Sequence, residues 1–314
     1  MSNPCVVVVG STMIDMIAYA KKLPERGQTV QGDNFALGFG GKGANQAVMA
    51  ARLGASVYMV NTLGDDVFGD STIKNFADQG INTTYVARTS GPSGVAPIWV
   101  EPDGTNRIIC VPGANNAMTP EQGATAIDEI SSRESVGVVI GQLEIPQAVT
   151  AEAFRRARAR GIITILNPAP SAPLTAELLE ASDWVIPNES EFADMHPAGL
   201  APSSDEIIRE LSQLLNKHIL VTLGEAGAAY CDKNGVVHRV SAPKVHAIDT
   251  TGAGDAFVGA FAYGLSIALG DEKSIQLGCI CASDSVTRLG TQSSYPDREK
   301  AINLLSEVMS AHSA

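Results

Sequence analysis

Positive charge is what this chain has least of. Its 314 residues carry 22 Lys and Arg against 34 Asp and Glu, a formal net charge of −12. No block of Lys and Arg occurs, so the electrostatic footprint of a nucleic-acid binder is missing. So is the polybasic segment that would hold the chain on an anionic membrane. Cysteine is sparse as well: Cys5, Cys110, Cys231, Cys279 and Cys281 are odd in number and form no Cys-x-x-Cys pair. Cys279 and Cys281 stand too close for an ordinary bridge, so all five are expected as small buried hydrophobes in a reducing compartment. The five histidines include no i,i+4 pair, which removes the usual zinc signature. No Gly-x-Ser-x-Gly nucleophile elbow occurs. The longest apolar stretch, residues 253–269, contains Asp255 and falls short of a membrane span. The first residues lack a basic segment before their apolar run, so no signal peptide is expected and a cytoplasmic location is. Asn82-Thr83-Thr84 matches a glycosylation acceptor that has no meaning without secretion.

What the chain does have is apolar residue, 45% of the total against 18% charged, which excludes a disordered chain. Its length suffices for one large domain that buries about 75% of its unfolded surface. The remaining partner class is a small molecule.

Short β-branched runs recur at residues 5–9, 57–61, 136–140, 162–166, 184–186 and 219–222. Unbroken apolar runs of that length suit strands buried on both faces. Helical patterns lie between them at 44–53, 71–79 and 149–160, the last closed by Gly161. This alternation predicts an α/β fold, a mostly parallel central sheet with helices on both faces. From Gly252 onward the pattern is helical, at 253–269, 272–287 and 297–310. Residues 16–37 and 94–111 break the alternation and read as short strands, with Pro102-Asp103-Gly104 as a hairpin turn. A second hairpin is expected at Asn234-Gly235. One domain, 1–314, with a small β appendage is the organisation that results.

Two glycine clusters carry the chemistry. Gly38, Gly40 and Gly43 fit the Gly-x-Gly-x-x-Gly spacing, with Asp65 downstream, but the first buried strand ends at Gly10, where a dinucleotide fingerprint belongs. The cluster is no Walker A, since Ala36 stands at its first glycine and no Ser or Thr follows Lys42. A polar-ligand loop with Lys42 and Asn45 as donors, a dinucleotide site and a tight turn remain open. In the second cluster, Gly252-Ala253-Gly254 opens a long helix whose N–H groups and dipole make an anion hole. Asp255 beside it either complements the dipole or takes a proton from a hydroxyl attacking a phosphorus held there.

Other acids stand at strand ends. Asp15 lies among apolar neighbours, where a carboxylate needs a polyol or backbone N–H groups to satisfy it. Glu144 follows a strand, where open sheets bind ligands. Asn188 and Glu191 read as a helix cap or as ligand contacts. Thr222, Leu223, Gly224, Glu225 and Gly227 form a turn suited to phosphates or a nucleotide edge.

Taken together, these segments resemble the ribokinase-like superfamily of sugar and nucleoside kinases along the whole chain. The resemblance rests on Gly10-Ser11 with Asp15 and on Gly40-Gly41-Lys42-Gly43-Ala44-Asn45-Gln46-Ala47. It rests equally on Asn167-Pro168-Ala169-Pro170, Pro187-Asn188-Glu189 and Asp249-Thr250-Thr251-Gly252-Ala253-Gly254-Asp255. It implies transfer of the γ-phosphoryl of ATP to a primary sugar hydroxyl, D-ribose first, with Asp255 as base and Gly252, Ala253 and Gly254 as anion hole. Asp15, Gly41, Lys42, Gly43, Asn45 and Glu144 would hold the sugar. Asn188, Thr222, Leu223, Gly224, Glu225, Gly227 and Gly254 would serve ATP, with Glu191 organising Mg²⁺ through water. Potassium would sit among Asp249, Thr251, Ser285, Arg288, Gly290 and Ser294. Residues 16–37 and 94–111 would build a lid, and two lids would clasp into a homodimer. Met13 departs from the pattern, because the family usually carries Asn there, an amide for a sugar hydroxyl. Another sugar or nucleoside of the same superfamily is the alternative substrate. A dinucleotide-dependent oxidoreductase and a non-catalytic sugar sensor are more distant readings; a sensor would not need Asp255.

Overall fold

The computed structural model describes residues 5–102 and 105–311. In chain order the first elements are β1 (Cys5–Val9), β2 (Met13–Tyr19), β3 (Asn34–Gly40), α1 (Lys42–Arg52), β4 (Ser56–Gly64), α2 (Val67–Asp78), β5 (Asn82–Thr89), β6 (Val95–Val100) and β7 (Asn106–Ile108). There follow α3 (Pro120–Arg133), β8 (Val136–Gly141), α4 (Gln147–Arg158), β9 (Ile163–Leu166), α5 (Ala176–Ala181), β10 (Trp184–Val185), α6 (Glu189–Met195), α7 (Asp205–Leu215) and β11 (His218–Thr222). The chain continues through β12 (Ala228–Cys231), β13 (Val237–Val240), α8 (Ala253–Ser266), α9 (Asp271–Ser285) and α10 (Arg298–Ser310).

Nine strands form the main sheet in the order β13-β12-β11-β10-β9-β8-β1-β4-β5. The pairs from β11 through to β5 are parallel, while β12 runs antiparallel to both of its neighbours, β11 and β13. The all-aliphatic β1 shows why the layers form on both sides. Val6 and Val8 pack into one core with Ala47, Phe257 and Phe261 of α1 and α8. Val7 and Val9 pack into the other with Ile127, Phe154 and Phe192 of α3, α4 and α6. Alternate side chains of a strand point to opposite faces, so a run without polar interruption needs apolar cover on both. Parallel strands also bring their carboxyl ends to one edge. Gly10, Glu144, Asn167 and Asn188 follow such ends, and Thr222 is the last residue of β11.

A separate four-stranded sheet has the order β3-β2-β6-β7. Sequence patterning begins the first of its segments at Met16; the strand in fact begins at Met13, with Met13 opposite Gly40 and Asp15 opposite Gly38. Asn115 causes the early start by clamping Thr12, accepting from its backbone N–H at 3.0 Å and donating to its carbonyl at 2.8 Å. The chain therefore leaves the main sheet at once, and Met13 and Asp15 share one face of the small sheet. Of the turn expected at Pro102-Asp103-Gly104, Asp103 and Gly104 lie outside the described residues, as does His312. Cys110 corrects another expectation: it is exposed, while Cys5, Cys231, Cys279 and Cys281 are buried. It follows β7 at the margin of the small sheet, among the exposed Ile108, Ile109 and Val111.

Candidate active site

Gly252 ends the loop before α8 with φ +76, and Ala253 and Gly254 form the helix's first turn. Only glycine suits position 252, because a Cβ there would also lie 2.5 Å from Thr291 and 2.9 Å from the Tyr295 hydroxyl. That hydroxyl donates to the Gly252 carbonyl at 2.8 Å and fixes the turn. At Gly254 a Cβ would meet nothing within 4 Å. The space over it belongs to a cavity of about 180 Å³ lined by Lys42, Asn167, Asn188, Glu191, Thr222, Gly252, Gly254 and Asp255.

Asp255 is buried in that cavity. Its Oδ2 accepts from Asn45 Nδ2 at 2.9 Å and its Oδ1 from Gln46 Nε2 at 3.0 Å. Gln46 is in turn held by Gln142 Nε2, which donates to its Oε1 at 2.6 Å. Hydrogen bonds to a charged group are worth about 1.5–3 kcal/mol each, so the two donors fix the orientation of the carboxylate. Lys42 faces the same cavity. Burial pulls its ammonium down, but Asp255, Glu144 and Glu191 outweigh burial and hold its pKa above the usual lysine value. Burial pushes Glu191 up, opposed by the Asn188 N–H that it accepts and by Lys42. Asn188 and Glu191 also form the capping box of α6, at 2.8 and 2.9 Å, so the cap and the cavity wall are one structure.

The first glycine cluster packs backbone against backbone. A Cβ on Gly41, whose φ is +87, would lie 2.7 Å from the backbone of Thr12 and Met13; one on Gly43 would lie 2.6 Å from Ser11 N. These glycines let α1 press against the turn after β1, while Lys42 reaches the cavity. Glu144 locks that contact, accepting from Ser11 Oγ at 2.5 Å and Lys42 N at 2.9 Å. Asp15 opens on an adjoining cavity of about 360 Å³ with Thr291, Gln292 and Gly38. Gly40 has no room for a side chain, since a Cβ there would fall 2.4 Å from the Asp15 carboxylate.

Burial lifts the Asp15 pKa to about 6, eased by the Thr291 hydroxyl and reinforced by the charges of Glu144 and Asp255. A raised acid adds stability fully present below its ordinary value of 3.8 and lost as pH rises through about 6. A hydroxyl ligand needs the opposite, ionised form as acceptor. Affinity for a hydroxyl ligand at Asp15 should therefore weaken as pH falls through about 6; a KM for that ligand that stays flat across the range would take Asp15 out of its binding.

A larger cavity, of about 840 Å³, lies by Ile163, Trp184 and His218, which begin β9, β10 and β11. It opens on the amino ends of the strands, away from the helix N-terminus and Asp255.

Known proteins decide what this arrangement belongs to. The sequence matches the pfkB family carbohydrate kinase profile over residues 3–298. The chain belongs to the pfkB family of carbohydrate kinases. It is 39% identical over 308 residues to the deoxyribokinase of Salmonella typhi, covering 96% of this chain and 98% of that one. To the ribokinase of Bacillus subtilis it is 38% identical over 307 residues, covering 98% and 100%. The ribokinase of Arabidopsis thaliana, solved in complex with ribose and ATP, superposes with a TM-score of 0.89 at 31% identity, covering 96% of this chain and 99% of that one. That of Thermotoga maritima gives 0.87 at 34% with the same coverage. Family membership sets aside the dinucleotide reading of Gly38–Gly43.

Within this carbohydrate kinase, the residues expected for ATP divide. Asn188 and Thr222 line the cavity with Asp255, and their backbones bridge. Leu223, Gly224, Glu225 and Gly227 form a turn beyond the end of β11 outside it, with Gly224 and Glu225 exposed. The loops expected to hold potassium are ordered by their own bonds. Asp249 accepts from Thr251 N and Oγ1 and from Gly290 N at 2.6–2.9 Å. Arg288 donates to the Ser294 carbonyl at 2.6 and 2.9 Å, so that oxygen already faces a cation and does not fit a metal ligand. Among the described residues no three His, Cys, Asp or Glu side chains gather to hold a metal ion.

Thr291 and Gln292 were not singled out by sequence reasoning, and Gln46 entered only as part of a motif, without a role. Gln46 had a signal, being next to Asn45 on the helix that faces α8. The other two stand in an irregular loop between α9 and α10 that carries no pattern.

Proposed function

We propose that this kinase transfers the γ-phosphoryl group of ATP to the primary hydroxyl of a pentose. The observation that supports it most is Asp255 in the first turn of α8, directly after the Gly252-Ala253-Gly254 backbone and in one cavity with Lys42, Asn188 and Glu191. Asp255 accepts the hydroxyl proton as the sugar oxygen bonds to the γ-phosphorus. The bond from that phosphorus to the bridging oxygen breaks, and ADP leaves with the electron pair. The N–H groups of α8 and the Lys42 ammonium face the charge that develops on the transferred group. Glu191 has one carboxylate oxygen on the Asn188 N–H, and its other oxygen would hold Mg²⁺ through water; bound Mg²⁺ would neutralise phosphate charge. ADP release from ATP that depends on added pentose is the test, and its absence with every pentose would dismiss the reading.

Met13 favours a particular sugar. It is buried, shares the strand face of Asp15, and offers a thioether where the family usually carries an amide. A hydroxyl left facing it loses a partner, at about 1–3 kcal/mol. A pentose without that hydroxyl loses nothing, and a deoxyribokinase at 39% identity stands beside a ribokinase at 38% among the relatives. We therefore place 2-deoxyribose ahead of the D-ribose first expected.

The outer face of the small sheet suits a second copy of the chain. Phe35 and Leu37 are 57% and 59% exposed and lie opposite Ala18 and Met16, on the face away from Asp15. Sedimentation as a dimer is expected, with Leu37→Asp sedimenting as a monomer; a wild-type monomer at micromolar concentration would contradict it.

A further inference from the structure

Asp255 stands at the end of a chain of carboxamides. Asn45 Nδ2 donates to Asp255 Oδ2 at 2.9 Å, and Asn45 Oδ1 accepts from Gln292 Nε2 at 3.0 Å. Gln292 Oε1 accepts in turn from Asn75 Nδ2 of α2 at 3.0 Å. A carboxamide has a donor end and an acceptor end, so the order Asn75, Gln292, Asn45 fixes which end each presents to the next. If Asn45 turned over, its carbonyl oxygen would face the carboxylate and Asp255 would lose a donor. Asn45 is 4% and Gln292 6% exposed, which leaves little room for water to replace either bond. The backbone of Gln292 is pinned too, since Arg52 Nη1 donates to its carbonyl and to that of Tyr295 at 3.0 Å.

We propose that Gln292 is a positioning residue for the base: by donating to Asn45 Oδ1 it holds the Asn45 amide with its NH₂ on Asp255. The inference rests on the reading of Asp255 as base. Asn75 supports it from behind by fixing the orientation of Gln292. The loop between α9 and α10, which also lines the cavity on which Asp15 opens, thereby acts on the base through the Gln292 amide.

The experiment is a double-mutant cycle in steady-state kinetics on the full chain. Gln292→Met keeps the length and removes the amide; kcat should fall about 10- to 100-fold, the usual effect of a misplaced reacting group, with KM for ATP unchanged. Placed on Asn45→Ala, the same substitution should add no further loss, because its route to Asp255 is already gone. Gln292→Glu keeps the acceptor for Asn75 and lacks the donor, so it should lose as much, and it serves if the Met variant does not fold. Wild-type kcat in a folded Gln292 variant, or losses that multiply in the double mutant, would overturn the inference. Asp255→Asn is measured beside them. Full turnover there defeats the base reading itself, whereas an inactive Asp255→Asn with a normal Gln292→Met defeats only the positioning role.

Discussion

Asp255→Asn should lower kcat by about 10²- to 10⁴-fold, the worth of a positioned general base, and leave the fold intact. The carboxylate accepts hydrogen bonds from Asn45 and Gln46, and an amide of the same shape keeps its oxygen for one of them. Its NH₂ faces the other donor, so one bond is lost and a modest drop in melting temperature accompanies the kinetic loss. Sugar and ATP should still bind, because Lys42, Asn188 and Thr222 are untouched. Stopped-flow or steady-state ADP release, with a thermal melt on the same sample, reads both quantities. Unchanged turnover would mean that Asp255 only complements the dipole of α8.

Gly254→Ala is the second large effect, and it separates catalysis from stability. A methyl at 254 meets nothing within 4 Å, and Ala is favoured over Gly inside a helix by about 0.5–1 kcal/mol. Stability should hold or rise. The methyl nevertheless projects into the cavity next to Asp255 in which the proposed reaction puts the transferred phosphoryl group. We expect kcat/KM to fall about 100-fold or more. Wild-type kinetics in Gly254→Ala would show that the phosphoryl group lies elsewhere. Gly252→Ala is a useful contrast, since there both φ +76 and the contact with Thr291 oppose a side chain, and stability should drop as well.

The central sheet was legible because its strands are continuous β-branched runs separated by helical periods. Each run needs cover on both faces, and few folds provide it. The glycine turn that opens α8 was legible for a similar reason: the positive φ at Gly252 needs a glycine directly before the helix, although the Ala253 N–H is taken by the Thr250 carbonyl. What escaped depends on pairs of residues far apart in the chain. Gln292 and Asn45 are 247 positions apart, and Asn75 and Gln292 are 217 apart. Each looks like an ordinary polar residue until the fold joins them. The start of β2 was misplaced because Asn115, 103 positions away, clamps Thr12. Gly41 and Gly43 were read for a ligand alone, and the sequence did not show that both also make room for the chain's own backbone. Local sequence shows that a glycine is needed without showing what approaches it. Cys110 is exposed for a comparable reason, since burial depends on whether another layer covers the strand.

The most direct test of the account is steady-state ADP release from ATP and Mg²⁺ with 2-deoxyribose and D-ribose, in the wild type and in Met13→Asn. The account predicts pentose-dependent turnover with kcat/KM for 2-deoxyribose at or above that for ribose. Met13→Asn should shift the ratio toward ribose by about tenfold, as one buried hydrogen bond would. No pentose-dependent ADP release in the wild type would contradict the proposed reaction. Turnover with the same ratio in both proteins would leave the kinase standing and take the choice of sugar away from Met13.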